Sequence, residues 1–454
     1  MSNVRIALNG ERAEVPAALT VAGLLEHLGV DARRVAVEVD RRVIRRVDHA
    51  RVIVEEGAEV EIVNFVGGGA GRQRLRHARR FGVLVTLLIA VGGAVSAQTD
   101  TLGRLLALVK AGKAAEAWKA WDALPAGAEK QRVGVSVAAA TGDIGRGVTI
   151  YEQLAVTTKS PDPAALRQLT LAAARPLAES TDLDARVQAC MSALMLDPAH
   201  GPCLKALQAM AADRDDARAQ ATGVFALANA GIDVAGMIDR VEPQLPTDQR
   251  LKFAQLLTRL PPARRLSLLR PLIETTDAAL QYQTILILAD IPGDDVKGAL
   301  ANVRPAPPAR NAITIARAAH GDAASLLATA DLLPMLFGYE KILAASALAR
   351  AIDQRGVAAL EELANSPTDL DRIRTAAALA KVSPDLAARI LTDSLNGGSL
   401  AVRAAALQAA GVVRMGTEPA VYRRLADDTP ATRAGAIAAI AETLVARPPQ
   451  LPTP

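Results

Sequence analysis

Hydrophobic and polar positions alternate with period two through the first seventy residues and change period afterwards. Val4, Ile6 and Leu8 alternate with Asn3, Arg5 and Ala7, the pattern of a strand with one buried face. Asn9-Gly10 follows, a pair that tolerates positive φ, and 12–15 returns, so a tight hairpin is predicted. Thr20 stands as an N-cap before 21–28, where Val21, Leu24, Leu25 and Leu28 share one helical face and Gly29 can take the left-handed cap. Val35, Val37 and Val39 then alternate with Ala36 and Glu38, and Val60 and Ile62 with Glu59 and Glu61 after a Glu56-Gly57 turn. The predicted order is strand, strand, helix, strand, strand, an α+β domain.

The period changes at 72. Arg72, Arg74, Arg76, Arg79 and Arg80 precede 81–97, which has no charged residue. That length is at the lower limit for a spanning helix. Gly92-Gly93 and the small residues Val95-Ser96-Ala97 also give the segment the form of a secretory signal. A membrane anchor and a cleaved signal both stand as readings, with a buried core helix as the plainer alternative. Under either of the first two, the positive-inside rule keeps the arginine side cytoplasmic and puts 98–454 across the membrane. Bacterial inner-membrane placement is therefore expected, with the first domain cytoplasmic and 98–454 periplasmic, free in the periplasm if the signal is cut. A signal normally begins a chain, so a misjoining of two genes is a further reading.

From 98 to 447 leucine and alanine recur at helical spacing, broken by Gly or Pro every 12 to 18 residues. "DLDRIRTAAALAKV", "GSLAVRAAALQAAGVV" and "PATRAGAIAAIAETL" align on Arg374, Arg403 and Arg433, and these units resemble short HEAT-like repeats. "AGKAAEAWKAW" and "ALMLDPAHGPCLKAL" are more similar to tetratricopeptide units. A helix pair that cannot bury its own apolar face stacks on others, so an α-solenoid binding a protein ligand of unknown identity is expected. The Pro-rich end, 448–454, is expected to be a disordered tail.

Composition narrows the chemistry. The 454 residues include five Phe, four Tyr and two Trp, which suits close-packed small-residue helices and leaves little stacking surface for single-stranded nucleic acid. The formal charge is only +4, so no nucleic-acid partner is expected. Five His and two Cys are scattered, so neither a metal site nor a catalytic constellation is expected. Cys190 and Cys203 flank a break at Asp197-Pro198. Antiparallel helices at 1.5 Å rise would offset them by roughly 10 Å. A disulfide spans about 7 Å between Cα atoms, so two buried thiols are expected over a bridge. "TGDIGRG" has Gly142, Gly145 and Gly147 without the Gly-Lys-Ser/Thr ending of a phosphate loop and is expected to be an inter-helix loop.

The residues of the first domain also carry a resemblance. "VRIALNGERAEVP", "LTVAGLLEHLGV", "RVAVEVD" and "EEGAEVEIVNFVGGG" together resemble ThiS, the small sulfur carrier of thiamine biosynthesis, over 1–69. Asp40 stands where many members have Asn. The resemblance implies a ubiquitin-like β-grasp fold and a functional tail of Gly69, Gly68 and Gly67, approached through Val66. It also implies partners that do the chemistry: an E1-like enzyme that uses ATP to adenylate the terminal carboxylate, and a thiazole synthase that consumes the sulfur of the resulting thiocarboxylate. The carrier itself would be no enzyme and hold no cofactor. Here Gly69 is followed by Ala70, so cleavage after Gly69 is required. The alternatives are a glycine linker and a chain that is chiefly an exported helical-repeat scaffold with an inactive or misjoined carrier-like domain. The expected organisation is a ThiS-like domain over 1–69, a basic linker over 70–80, a transmembrane or signal segment over 81–97, an all-α solenoid over 98–447 and the tail.

Overall fold

The computed structural model describes residues 3–8, 11–16, 19–27, 35–39, 42–44, 48–54, 56–64 and 94–445. Five strands, β1 (Asn3–Leu8), β2 (Glu11–Pro16), β3 (Val35–Val39), β4 (Arg42–Ile44) and β5 (Glu59–Asn64), form one mixed sheet in the order β2-β1-β5-β3-β4. β1 and β2 pair antiparallel from Asn3↔Pro16 to Leu8↔Glu11, which leaves two residues for the connection, as the Asn-Gly pair predicts. β4 is a strand that the alternation does not predict. Three residues are too few for a period to show, and only pairing with β3 (Val37↔Ile44 to Val39↔Arg42) defines it.

Helix α1 (Val21–His27) starts behind Thr20, whose Oγ1 accepts the Gly23 N–H at 3.2 Å. The first N–H groups of a helix have no partner within it. Here the N–H groups of Val21 and Ala22 donate to the carbonyls of Val52 and His49 at 2.8 and 2.9 Å, so the segment 48–54 seats the helix. Val21, Leu24 and Leu25 from α1 pack with Val15, Val37, Val39, Val54, Ala58 and Val60. Each large aliphatic side chain buried this way contributes about 1.5–3 kcal/mol, and the core draws on every strand or its flanking loop.

From Ala94 to Leu444 the described chain is helices joined by turns. These helical residues fall into two compact units, one holding 262–413 together with 246–258, the other 94–245 together with 259–261 and 414–445. In the first, the helices Ala278–Leu288, Arg310–Ala319, Gly338–Arg350, Asp369–Leu379 and Leu400–Val413 stack each on the next. Ala323–Leu332, Gln354–Leu363 and Pro384–Gly397 are the second helices of these hairpins. Small residues permit the close approach: a Cβ on Gly356 would lie 2.5 Å from the Ala345 carbonyl oxygen of the partner helix.

The repeat register differs from the one aligned on Arg374. Arg372, Arg403 and Arg433 are the equivalent residues, each fourth in its helix. Their Nη1 groups donate to the carbonyls of Ser366 (2.7 Å), Gly398 (2.7 Å) and Asp427 (3.3 Å) in the preceding loops. Arg186, fourth in Leu183–Leu196, does the same to Ser180 through Nε at 2.8 Å. Arg374 instead stacks on Tyr339, 5.3 Å from the ring centroid. Two arginines two residues apart offer two alignments to the sequence, and only the loop carbonyls choose between them.

In the second unit the packing is not confined to sequence neighbours. Pro430–Leu444 lies against Pro163–Ala174 and Leu183–Leu196, whereas a simple linear array has each repeat touch only the next. Pro430–Leu444 carries only two charged residues, Arg433 and Glu442, and buries most of the rest.

The expected inner-membrane placement is corrected. Among the described residues no helix is long and apolar enough to cross a membrane. The helix Ala94–Lys110 takes in the last four residues of the apolar segment and continues past Ala97 without a break. It carries Asp100, Arg104 and Lys110 and packs against Ala114–Asp122 and Ala128–Thr141, so 94–97 open a packed helix. The expected cytoplasmic and periplasmic assignments fall with that placement. Residues 81–93, the linker 70–80 and the tail 448–454 lie outside the described residues.

Candidate functional site

β5 sits at the centre of the sheet. It runs parallel to β1 through Ala7↔Glu59 and Leu8↔Val60 and antiparallel to β3 from Val35↔Asn64 to Val39↔Val60. β5 is paired with β1 at Glu59 and Val60 and with β3 from Val60 to Asn64, so the chain leaves Asn64 from the middle of the strand order. Phe65, Val66, Gly67, Gly68 and Gly69 come directly after it in sequence. Val66 and the three glycines, the residues implied as the functional tail, lie outside the described residues.

A cluster of perturbed titratable groups lies elsewhere, in the unit holding 262–413. Arg265 is only 1% exposed and donates Nε–H to the Ala254 carbonyl at 2.6 Å. Burial pushes its guanidinium down to about 10, partly offset by the Asp290 carboxylate. Burial pushes Asp290 up against the opposing pull of Arg350 and Arg265. Tyr339 donates Oη–H to Asp290 Oδ2 at 3.4 Å, and burial followed by that carboxylate pushes its phenol up. Tyr282, beside Glu340, is pushed up to about 12, chiefly by burial. Each of these groups faces a charge or a carbonyl, so the cluster knots successive helices together. No spacing in the sequence signals it, because Asp290 lies 25 residues from Arg265 and 49 from Tyr339 and only helix stacking brings them together.

Two histidines act as neutral pins between neighbouring turns of the array. His200 Nε2 lies 3.1 Å from the Leu171 carbonyl and His320 Nε2 lies 3.0 Å from that of Leu288. Burial lowers the pKa of both; the Arg175 charge adds to this at His200, and the Arg350 and Lys297 charges at His320.

Cys190 and Cys203 are buried and free. The Cys203 thiol donates to the Ala174 carbonyl at 4.0 Å, and its interaction with the Cys190 thiol, together with burial, pushes it far up. In "TGDIGRG" only Gly142 and Asp143 lie between helices, and the last four residues open Ile144–Thr158. Gly142 takes φ +77° at the end of Ala128–Thr141, and Asp143 caps Ile144–Thr158 by accepting the Arg146 N–H at 3.1 Å. No group of three or more His, Cys, Asp or Glu suited to a metal occurs among the described residues. A groove of about 450 Å³ lies along 364–402, with Asp369, Arg372, Arg389 and Asp393 on its walls.

Comparison with known proteins bears on the first domain alone. Residues 4–69 match the ThiS family. A thiazole synthase of Paramagnetospirillum magneticum (strain ATCC 700264 / AMB-1) is 42% identical over 67 residues, 15% of this chain and 21% of the relative. A thiazole synthase of Magnetococcus marinus (strain ATCC BAA-1437 / JCM 17883 / MC-1) is 39% identical over 66 residues, 14% of this chain and 20% of the relative. The chain thus spans about a fifth of the length of the curated relatives it matches.

Proposed function

We propose that residues 1–69 serve as a sulfur carrier for thiazole formation in thiamine biosynthesis, with Gly69 as the residue that carries the sulfur. The observation behind this reading is a ThiS-matching domain whose central strand β5 is followed directly by Gly67-Gly68-Gly69. Without Cβ atoms these glycines form a thin arm able to enter a narrow active site. The Gly69 carbonyl is bonded to Ala70, so hydrolysis comes first: water adds, the C–N bond breaks, and Gly69 keeps the carboxylate while Ala70 keeps the amine. Ala70 has a methyl group where an internal acyl shift needs a hydroxyl or thiol, so a separate peptidase makes the cut. An E1-like enzyme then joins the carboxylate to the α-phosphate of ATP with release of pyrophosphate, a sulfide-level sulfur nucleophile displaces AMP to leave the thiocarboxylate, and a thiazole synthase consumes the sulfur. Both relatives bear the name of that last enzyme. The domain contributes a docking surface and a carboxylate, and no catalytic group.

A second reading is favoured by the stacked hairpins of 262–413. It makes the chain chiefly a helical scaffold for a protein partner, with the glycines as a linker and the first domain inactive. Mass spectrometry of cell extract separates the two. The carrier reading expects an N-terminal fragment ending at Gly69, part of it as thiocarboxylate; recovery of 1–69 only within longer polypeptides would refute it.

A further inference from the structure

Residues 414–445 pack on a part of the chain remote from them in sequence. In Pro430–Leu444, the side chains of Ala434, Ala436, Ile437, Ile440 and Ala441 are fully buried, and the helix lies against Pro163–Ala174 and Leu183–Leu196. Just ahead of it, Tyr422 meets Tyr151 edge to face with centroids 5.0 Å apart. Arg423 pairs with Glu152 beside them. The seat is thus built from residues about 230 to 270 positions upstream, and a single covalent crossing, at Val413–Arg414, carries the chain into the segment.

That crossing has an unusual backbone. Arg414 has φ +65°, in the left-handed region that residues with a Cβ populate sparsely. Lys159 and Ile352 share this conformation (φ +53° and +63°), while other hairpins turn with glycine, as at Gly142, Gly231 and Gly321 (φ +77°, +90° and +82°). The segment beyond it is tied to itself. Arg414 Nη2 donates to the Val445 carbonyl at 2.9 Å and to that of Thr443 at 3.3 Å, and the Gly416 N–H donates to Thr443 Oγ1 at 2.8 Å. A Cβ on Gly416 would lie 2.6 Å from Ile440 Cα, so the two arms of the segment touch directly. Residues 414–445 therefore form a self-contained block joined through one strained residue.

We propose that this block is exchanged between two copies of the chain: 414–445 of one copy occupies the seat on Pro163–Ala174 and Leu183–Leu196 of the other, and the reverse, to give a reciprocal dimer. A second copy is the occupant because the seat is complementary to this helix, with the Tyr151–Tyr422 and Glu152–Arg423 contacts as its specific marks. Every one of these contacts forms equally well within a chain or between chains, so exchange loses none of them and lets Arg414 leave the left-handed region.

The test uses the full chain. After annealing at high protein concentration, light scattering is expected to find a dimer fraction that persists on dilution; monomer at every concentration overturns the proposal. Two single variants, Glu152→Cys and Arg423→Cys, are then annealed together and treated with a short bismaleimide. A cross-link between the peptides bearing the two introduced thiols must join different chains, because each chain carries only one of them. Its recovery from the dimer is the expected result. A dimer that forms without that link overturns the exchange, since its interface lies elsewhere.

Discussion

Ile437→Ala is a direct probe of how the last helix supports distant parts of the chain. Ile437 is fully buried in Pro430–Leu444, and replacing a core isoleucine with alanine costs about 2–5 kcal/mol, the spread reflecting how far the site collapses. Pro430–Leu444 lies against Pro163–Ala174, which contacts Ala128–Thr141, which in turn contacts Ala114–Asp122. That last helix carries both tryptophans of the chain, Trp118 and Trp121. Trp121 is 9% exposed, and Trp118 is stacked under Arg146 at 3.7 Å. Tryptophan fluorescence therefore reports on a point more than 300 residues upstream of the substitution. With a loss of about 3 kcal/mol and a urea dependence of about 2–3 kcal/mol per molar, the fluorescence midpoint should fall by about 1–1.5 M. Val156→Ala, at a side chain 78% exposed, should leave it within about 0.2 M. If repeats were supported by sequence neighbours alone, the substitution would lower helicity by circular dichroism yet leave the tryptophan midpoint unmoved. That result would refute the closure argued from the packing of 430–444.

Ile352→Gly should be neutral to slightly stabilising. Ile352 holds φ +63°, which costs an L residue roughly 1–2 kcal/mol, and at 84% exposure its side chain has little burial to lose. Glycine's larger unfolded-state entropy takes back roughly 0.5–1 kcal/mol, so a gain of about 0.5 kcal/mol in urea unfolding is expected, and a loss above about 1 kcal/mol would show that the side chain is packed. Stability should also fall on acidification through the two histidine pins. Their folded pKa values lie below the ordinary 6.5, so the unfolded chain takes up protons first. The contribution is complete above about 6.5 and disappears as pH falls through the folded values. Unfolding followed from pH 8 to 5 should show this decline, and His320→Gln should make it shallower; an unchanged slope would mean that His320 is already charged in the fold.

Much of the first domain was legible in the sequence because its signals are local. The Asn9-Gly10 pair demands a tight turn, Thr20 caps the helix that begins at Val21, and alternating valines place β3 and β5. β4 escaped, since three residues have no period and its existence depends on β3. The carrier tail was legible only as glycines after a strand and a family likeness. In the helical region the Gly and Pro breaks announced hairpins, yet the choice between Arg372 and Arg374 as the repeat arginine required the loop carbonyls. The Arg265, Asp290 and Tyr339 knot had no sequence signature, because burial alone makes those residues interact strongly.

The order of side chains by itself determined the places of β1, β2, α1, β3 and β5 and the helical character of the rest, through turn chemistry, caps and the periods of two and 3.6 that one chain segment carries within itself. Tertiary structure alone decided that β5 lies between β1 and β3, that 94–97 open a packed helix, and that 430–444 return to helices more than two hundred residues upstream. These outcomes depend on which apolar faces meet, and an apolar helix face is nearly indifferent to its partner until shapes and backbone approach select one.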